Sequence, residues 1–377
     1  MSTMSNQVES NAPLPPPVFI PDELIDEILS FLDVETILQL KCVSKSWKNL
    51  ILDPTFVQKH LKKSLQNPHI ILTPPYQNYP IKSVHSFPVR HLLKKSSIVT
   101  RYQSYRDSKY KIISSCNGLL CLLLNSPKKK DHYRFCLCNP ATRKISAEFG
   151  TLDTPSHFWE FRTLDSSVEF TFGCDILTGT YKIVSLFAKR NAVRVLSLGD
   201  NCWRNIIGFP LIPLTSKYNN SVHLSGTVSW LALRDHVERF VIVSLDLSTE
   251  TLAQFLLPFG LYEVLNDGWL SGWADNQPTL QVLMDHLCIS HDFERTGFVI
   301  WQMKEFGVQE SWTQLFRIDY FNLEMHDKIK RYHNLFLLPL YLSKNGDTLV
   351  LTYEYGGITI IYNQRDNRVV GRIRALS

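Results

Sequence analysis

FIPDELIDEILSFLDVETILQLKCVSKSWKNLILDPTFVQKHL, residues 19–61, is the only stretch of this chain with sustained helical periodicity. Pro21 suits a first helical position, where its missing N–H costs nothing. Asp22, Glu23, Asp26 and Glu27 follow, favourable near the positive end of a helix. Leu24, Ile25, Ile28, Leu29 and Leu32 then recur at i, i+1, i+4, i+5 and i+8, which makes one apolar stripe. A second short helix is expected over Val34 to Lys41, and Ser44 suits the N-cap of a third that carries Trp47, Leu50, Ile51 and Leu52. Asp53-Pro54 ends it and starts a fourth with Phe56, Val57 and Leu61. A lone unit of about 40 residues has a marginal core, so so apolar a unit needs something to pack against. Periodicity leaves two partners open: the rest of this chain, or another protein.

From His69 onward the period changes from 3.6 to two. Short apolar runs cut by Gly, Pro, Asn and Asp predict about twenty strands, from Ile70–Thr73 to Arg368–Arg374, with only a weak helical turn near Phe321–Arg331. Strands at this spacing indicate an all-β sandwich, barrel or propeller rather than an α/β enzyme. A recurring plan favours the propeller: an apolar strand, a turn, a strand ending in Asp or Asn, then a strand with Trp or an apolar pair. The units run roughly 40 to 55 residues, the spacing of propeller blades, and residues 68–377 hold about six. Ile70–Phe87 and Thr348–Arg374 are expected to share one blade and so close the ring. The domain reading is a disordered Pro-rich tail over 1–18, a helical module over 19–61, a junction over 62–67 and the large β domain over 68–377.

Bulk properties exclude several classes. In the 377 residues, 44% apolar and 12% aromatic content supports an extensive core, and a net charge of +5 is no nucleic-acid or membrane signal. The eight cysteines form no Cys-x-x-Cys pair and no zinc-site spacing. The apolar runs fall far short of the roughly 20 residues of a membrane span, so a soluble cytoplasmic or nuclear protein with reduced thiols is expected.

No catalytic constellation emerges: Gly-x-Ser-x-Gly, Gly-x-x-x-x-Gly-Lys-Ser/Thr, His-Glu-x-x-His and Gly-x-Gly-x-x-Gly are all missing. His286 with His291, and His326 with His333, lack ligand spacing and read as exposed loop residues. Asp175, Asp246, Asp267 and Asp285 are candidate carboxylates on a propeller face, the arrangement of some glycosidases. Asp175 and Asp246 are better explained as Asx turns, because each ends a strand before a Thr-containing turn. No catalytic residue, cofactor or metal is expected. Trp203, Trp230, Trp301 and Trp312 sit in strand patterns and suit packing between blades. Trp269 and Trp273 lie in a Gly-containing stretch and are candidates for contact with a partner protein.

Ile20-Pro21-Asp22-Glu23-Leu24, then Ile28-Leu29, then Lys41-Cys42-Val43-Ser44-Lys45-Ser46-Trp47 resembles the F-box motif, with Ile20 where Leu is usual and Asp33 where a second proline often stands. Ser115–Cys121, Asn139–Lys144, Phe172–Asp175, Tyr181–Val184, Gly226–Leu231 and Trp301–Gly307 with Glu310-Ser311-Trp312 resemble the F-box-associated interaction (kelch-like) domain of plant F-box proteins. The resemblance implies a substrate receptor of a Skp–cullin–F-box ubiquitin ligase, itself non-catalytic. Its implied partners are a Skp-family adaptor, through it a cullin and a RING subunit, and an unknown client; neither nucleic acid nor membrane is among them. By resemblance Pro21, Leu24, Ile25, Ile28, Leu29, Val43, Ser44 and Trp47 make or support the Skp contact. Client recognition is expected on the loops Lys128–Asp131, Gly150–Ser166, Leu214–Asn220 and Leu265–Gln277. Two other readings are a propeller hydrolase or carbohydrate-binding protein with a helical appendage, and an F-box scaffold that recruits no cullin.

Overall fold

The computed structural model describes residues 20–64, 67–72, 85–94, 110–125, 132–153, 168–187, 192–200, 202–206, 212–213, 221–234, 239–259, 261, 278–325, 337–353 and 358–374. The chain divides into two units, 1–66 and 67–377.

The first unit holds α1 (Asp22–Ser30), α2 (Val34–Leu40), α3 (Lys45–Leu52) and α4 (Pro54–Ser64). Pro21 stands one position before α1 with extended backbone, and its carbonyl accepts from the Leu24 and Ile25 N–H groups. Asp33 caps α2, accepting from the Thr36 N–H at 2.9 Å. A carboxylate here satisfies a free helix N–H and complements the helix dipole, so Asp33 substitutes for proline by a different route. Ser44 caps α3 in the same way through the Trp47 N–H at 3.1 Å. The fourth helix runs on to Ser64, so Lys62 and Lys63, expected in the junction, are helical. Leu29, Ile37, Ile51 and Phe56 form a small core, with Ile25, Leu32, Leu40, Trp47 and Leu50 packed on it.

The second unit starts with the hairpin β1 (His69–Leu72) and β2 (His85–Pro88), followed by the short helix α5 (Val89–Lys94). Five antiparallel sheets follow. The first holds β3 (Tyr110–Cys116), β4 (Leu119–Asn125), β5 (His132–Asn139), β6 (Lys144–Ile145) and β7 (Phe149–Asp153). The second holds β8 (Val168–Cys174), β9 (Tyr181–Phe187), β10 (Ala192–Ser197) and β11 (Arg204–Ile206). The third holds β12 (Ile212–Pro213), β13 (Val222–Leu224), β14 (Thr227–Arg234), β15 (Arg239–Asp246) and β16 (Leu252–Leu256). β17 (Thr279–Leu283), β18 (His286–Phe293), β19 (Gly297–Met303) and β20 (Trp312–Asp319) make the fourth. β21 (Leu337–Leu342), β22 (Thr348–Tyr353), β23 (Ile358–Asn363) and β24 (Arg368–Arg374) make the fifth.

The architecture is a β-propeller, and its apolar clusters fall between sheets in ring order. Val184, Leu186, Val193 and Val195 of the second sheet meet Val228, Trp230, Val241 and Val243 of the third. Equivalent clusters join first to second, third to fourth and fourth to fifth. The last two interfaces run through the hairpin. Ile70 packs on Val350, Ile361 and Ile373 of the fifth sheet, and its neighbour Ile71 packs on Leu120, Leu122 and Leu124 of the first. Adjacent strand residues point to opposite faces, so four residues of β1 reach both sides of the gap.

Among the described residues the ring has five sheets of four or five strands and a two-stranded hairpin between the last and the first, rather than the roughly six blades expected. Shared closure is also corrected: β1 pairs with β2, while Thr348–Arg374 completes the fifth sheet with β21. β3, α5, β7 and β12 escaped the period-two reading. A register shift between Ile112 and Ser114 spoils the alternation of β3, and α5 is a six-residue helix with too few turns for a pattern.

Candidate partner-docking face and the propeller ends

The helix α1 has two apolar faces with opposite fates. Leu29 is 1% exposed in the unit's core, and Ile25 packs beside it. Leu24 and Ile28 are 55% and 56% exposed, although they belong to the same hydrophobic pattern. Ile20 and Phe31 extend them at i−4 and i+3 of that helical row, and both are exposed. Val43, in the turn before α3, is exposed too, as are Leu52 and Val57.

The sequence-predicted docking set thus splits. Leu24, Ile28 and Val43 offer apolar surface. Leu29, Ile25 and Trp47 build the core that carries it. Ser44 is a helix cap, and Pro21 sets the entry to α1. Ile20, Phe31, Leu52 and Val57 were missed; Phe31 was legible as the i+7 partner of Leu24. Ion pairs hold α1 to α4: Lys59 reaches Asp26 and Glu27, and Lys63 reaches Glu27 and lies over the Phe31 ring. Three charged contacts across two helices fix the orientation of the exposed row more than they stabilise it, since exposed pairs contribute little each.

In the propeller, Asp175 and Asp246 make the expected Asx turns. Asp175 Oδ1 accepts from the Leu177 and Thr178 N–H groups, and Asp246 Oδ1 from Ser248 and Thr249. The Ser248 hydroxyl also donates to Asp175, which together with the turn holds that carboxyl down at about 2. Lys182 lies between Asp175 and Glu250, and Arg204 pairs with Glu250 and Asp200, so this network ties the second sheet to the third. Asp285 occupies the tight turn after β17; Asp267 lies outside the described residues.

Two histidines depart from the exposed-loop expectation. His291 is buried on β18, where Trp301 Nε1 donates to its Nε2 at 3.4 Å. His223 sits between sheets, its Nδ1 3.6 Å from Cys116 Sγ and its Nε2 on the Cys174 backbone. Burial pushes the pKa of both imidazoles down. Burial also pushes the Cys116, Cys136 and Cys288 thiols up to about 12, so these cysteines are poor nucleophiles. No group of three or more His, Cys, Asp or Glu residues among the described residues could hold a metal ion. His326 and His333 lie outside them.

Trp230 is buried between the second and third sheets, as expected of an inter-blade residue. Trp203 and Trp312 share one device: the indole N–H of each donates to an outer strand of the preceding sheet, at Thr151 O and Leu256 O. Trp269 and Trp273 lie outside the described residues, as do 128–131, 154–166, 214–220 and 265–277. The strands that flank them still locate their attachments. Antiparallel order puts the C-terminal ends of β4, β7 and β16 at one end of the propeller, and β12 and β13 both pair with β14.

The model for the F-box domain matches residues 20–59, and that for the F-box associated beta propeller domain matches 76–269, more than half of the chain. This is an F-box protein of the F-box-associated propeller family. Relatives share the arrangement at low identity. A putative F-box protein of Arabidopsis thaliana is 27% identical over 310 residues, covering 78% of this chain and 61% of that protein. An F-box/kelch-repeat protein of the same plant is 26% identical over 368 residues, covering 93% of this chain and 89% of its own. The F-box protein CPR1 of Arabidopsis thaliana is 23% identical over 385 residues, covering 94% and 84%. Within the F-box match, the exposed row on α1 and Val43 is the main apolar surface the fold leaves uncovered.

Proposed function

We propose that this F-box protein is the substrate receptor of a Skp–cullin–F-box ubiquitin ligase. Its F-box unit docks on a Skp-family adaptor, and through it on a cullin and RING subunit, while the propeller holds a client. The observation that carries the reading is the partition of α1: one apolar row builds the core and a second, ion-paired into position, stays in solvent. Leu24, Ile28 and Val43 make the Skp contact; Pro21, Ile25, Leu29, Ser44 and Trp47 support it. Trp269 and Trp273 contribute to client contact.

The mechanism is proximity without bond chemistry. Holding client and ligase core in one complex raises the effective concentration of client lysines at the ubiquitin thioester. The protein acts in the cytoplasm or nucleus; among the described residues no helix is long and apolar enough to cross a membrane.

The test is co-elution with a Skp adaptor. Replacing Leu24 and Ile28 together by alanine removes two central apolar anchors and weakens the complex by roughly 2 kcal/mol or more, as for interface hot spots. Both residues are exposed, so the variant keeps its thermal unfolding temperature. A double variant that co-elutes as the wild type does would falsify the assignment.

A further inference from the structure

Arg194, the third residue of β10, is a cation on an apolar face. Side chains alternate along a strand, so Arg194 shares its face with Ala192 and Leu196. Both pack in the apolar cluster between the first and second sheets, with Phe135 and Leu152 of the first and Phe187 of β9. The Arg194 guanidinium lies 5.2 Å from the centre of the Phe187 ring. Its Nε is enclosed and has no hydrogen-bond partner.

A long side chain that covers the cluster with its stem and escapes to water with its head would be the simplest account. Two observations argue for more. The Nε of an escaped head would be hydrated, whereas this one is shut off from solvent, so the guanidinium is seated in the crevice rather than above it. Among the described side chains, Arg134 and Arg194 are the two arginines that are partly buried. Arg134 pairs with Glu148, and Arg194 has no carboxylate within ion-pair range among the described residues. Taking a charge out of water without a counter-charge costs free energy, and one aromatic face offsets only part of it.

The crevice is open to a ligand. Nε is the one Arg194 nitrogen that is both enclosed and unpartnered, so the two Nη groups reach the surface, and they have no hydrogen bond among the described residues. That fork matches a carboxylate or phosphoryl group, two oxygens to two N–H groups. Antiparallel order puts the start of β10 at the propeller end that holds the C-terminal ends of β4 and β7. We propose that Arg194 and Phe187 bind an oxyanion on an apolar stem, the acidic or phosphorylated side chain of a client segment. The stem lies against the Phe187 ring and the oxyanion takes the Nη fork. This deepens the receptor reading by naming a chemistry the client carries, and rests on that reading only for the word client.

Hexanoate, hexyl phosphate and hexanamide, one apolar stem with three heads, test it on the full chain by nitrogen NMR of labelled arginine. The Arg194 Nε–H signal is assigned by its loss in Arg194→Met. At least one of the two anions moves that signal saturably and binds about tenfold or more tightly than hexanamide, because hydrogen bonds between charged groups are the stronger kind. Whichever anion binds more tightly identifies the acidic or the phosphorylated source. Arg194→Met fills the crevice with an apolar side chain, keeps the thermal unfolding temperature and loses the preference for an anion over hexanamide. No movement of the signal with either anion, equal binding of anions and hexanamide, or a wild-type preference in Arg194→Met overturns the proposal. Skp co-elution from the same preparations reports separately on the receptor reading, because Arg194 lies outside the F-box.

Discussion

The F-box unit and the propeller solve the same problem in opposite ways. Both are rich in large apolar residues, but among the described residues seven of the eighteen exposed ones (Ile20, Leu24, Ile28, Phe31, Val43, Leu52 and Val57) lie in the short helical unit and the other eleven in the second unit. A sheet in a ring is covered on both faces by its neighbours, so strand residues of either parity find a partner. A small helical unit has only one interior, and a helix with a second apolar row must leave it outside. Exposed surface in the first unit is thus what its size forces, and a partner turns it to use.

The contrast makes ordered predictions. The largest concerns a buried wall of the ring: Trp230→Ala empties the packing between the second and third sheets and costs about 3–5 kcal/mol, measured by denaturant unfolding. Leu29→Ala comes next, at about 2–5 kcal/mol for so small a core, against almost no loss of stability for Leu24→Ala. Equal losses at Leu24 and Leu29 would mean that both rows are internal and would remove the contrast. Ile70→Ala is expected to loosen the ring at its hairpin, with hydrogen exchange rising in β3 and β24 before β14 and β15. Ser44→Ala removes a cap and costs about 1 kcal/mol.

A separate set of effects is carried by protons. Glu169 accepts from the Ser221 N–H and hydroxyl on one oxygen, and its other oxygen is enclosed without a partner. The residue keeps some accessible surface but its carboxyl does not, and burial raises that carboxyl to about 8. Its folded pKa lies above its unfolded value, so the propeller loses stability as pH rises from about 4.5 to 8, and Glu169→Gln flattens that slope. Asp175 has the opposite sign. Its carboxyl is held at about 2, chiefly by Ser248, so its contribution is full above the unfolded pKa and is lost as pH falls from 3.8 towards 2. Unfolding curves across pH in Ser248→Ala, where that acid loss shrinks, check the second case.

How far these features were legible depends on the range of the interactions involved. Four helices, the Ser44 cap and most strands follow from local periodicity and turn chemistry, which act within a few residues. Two of the four carboxylates that could have suggested catalysis, Asp175 and Asp246, were already explained by Asx turns, again a local effect. The blade count was not legible, because a two-stranded hairpin and a four-stranded sheet leave similar short runs in the chain, and only pairing distinguishes them. The place of His223 between two sheets was missed for the same reason: Cys116 and Cys174, which it meets, are far away in sequence.

The order of residues determined the two units, the change of period near residue 68 and an apolar excess on α1, because each is a matter of spacing along one segment. Tertiary structure decided which half of that excess is core. Leu24 and Leu29 share one pattern, and no spacing rule separates them; Phe56 and Ile51, brought in by α4 and α3, cover one and leave the other in solvent. It likewise decided how the ring closes, since Ile70 and Ile71 meet the last and first sheets only after the chain has gone round.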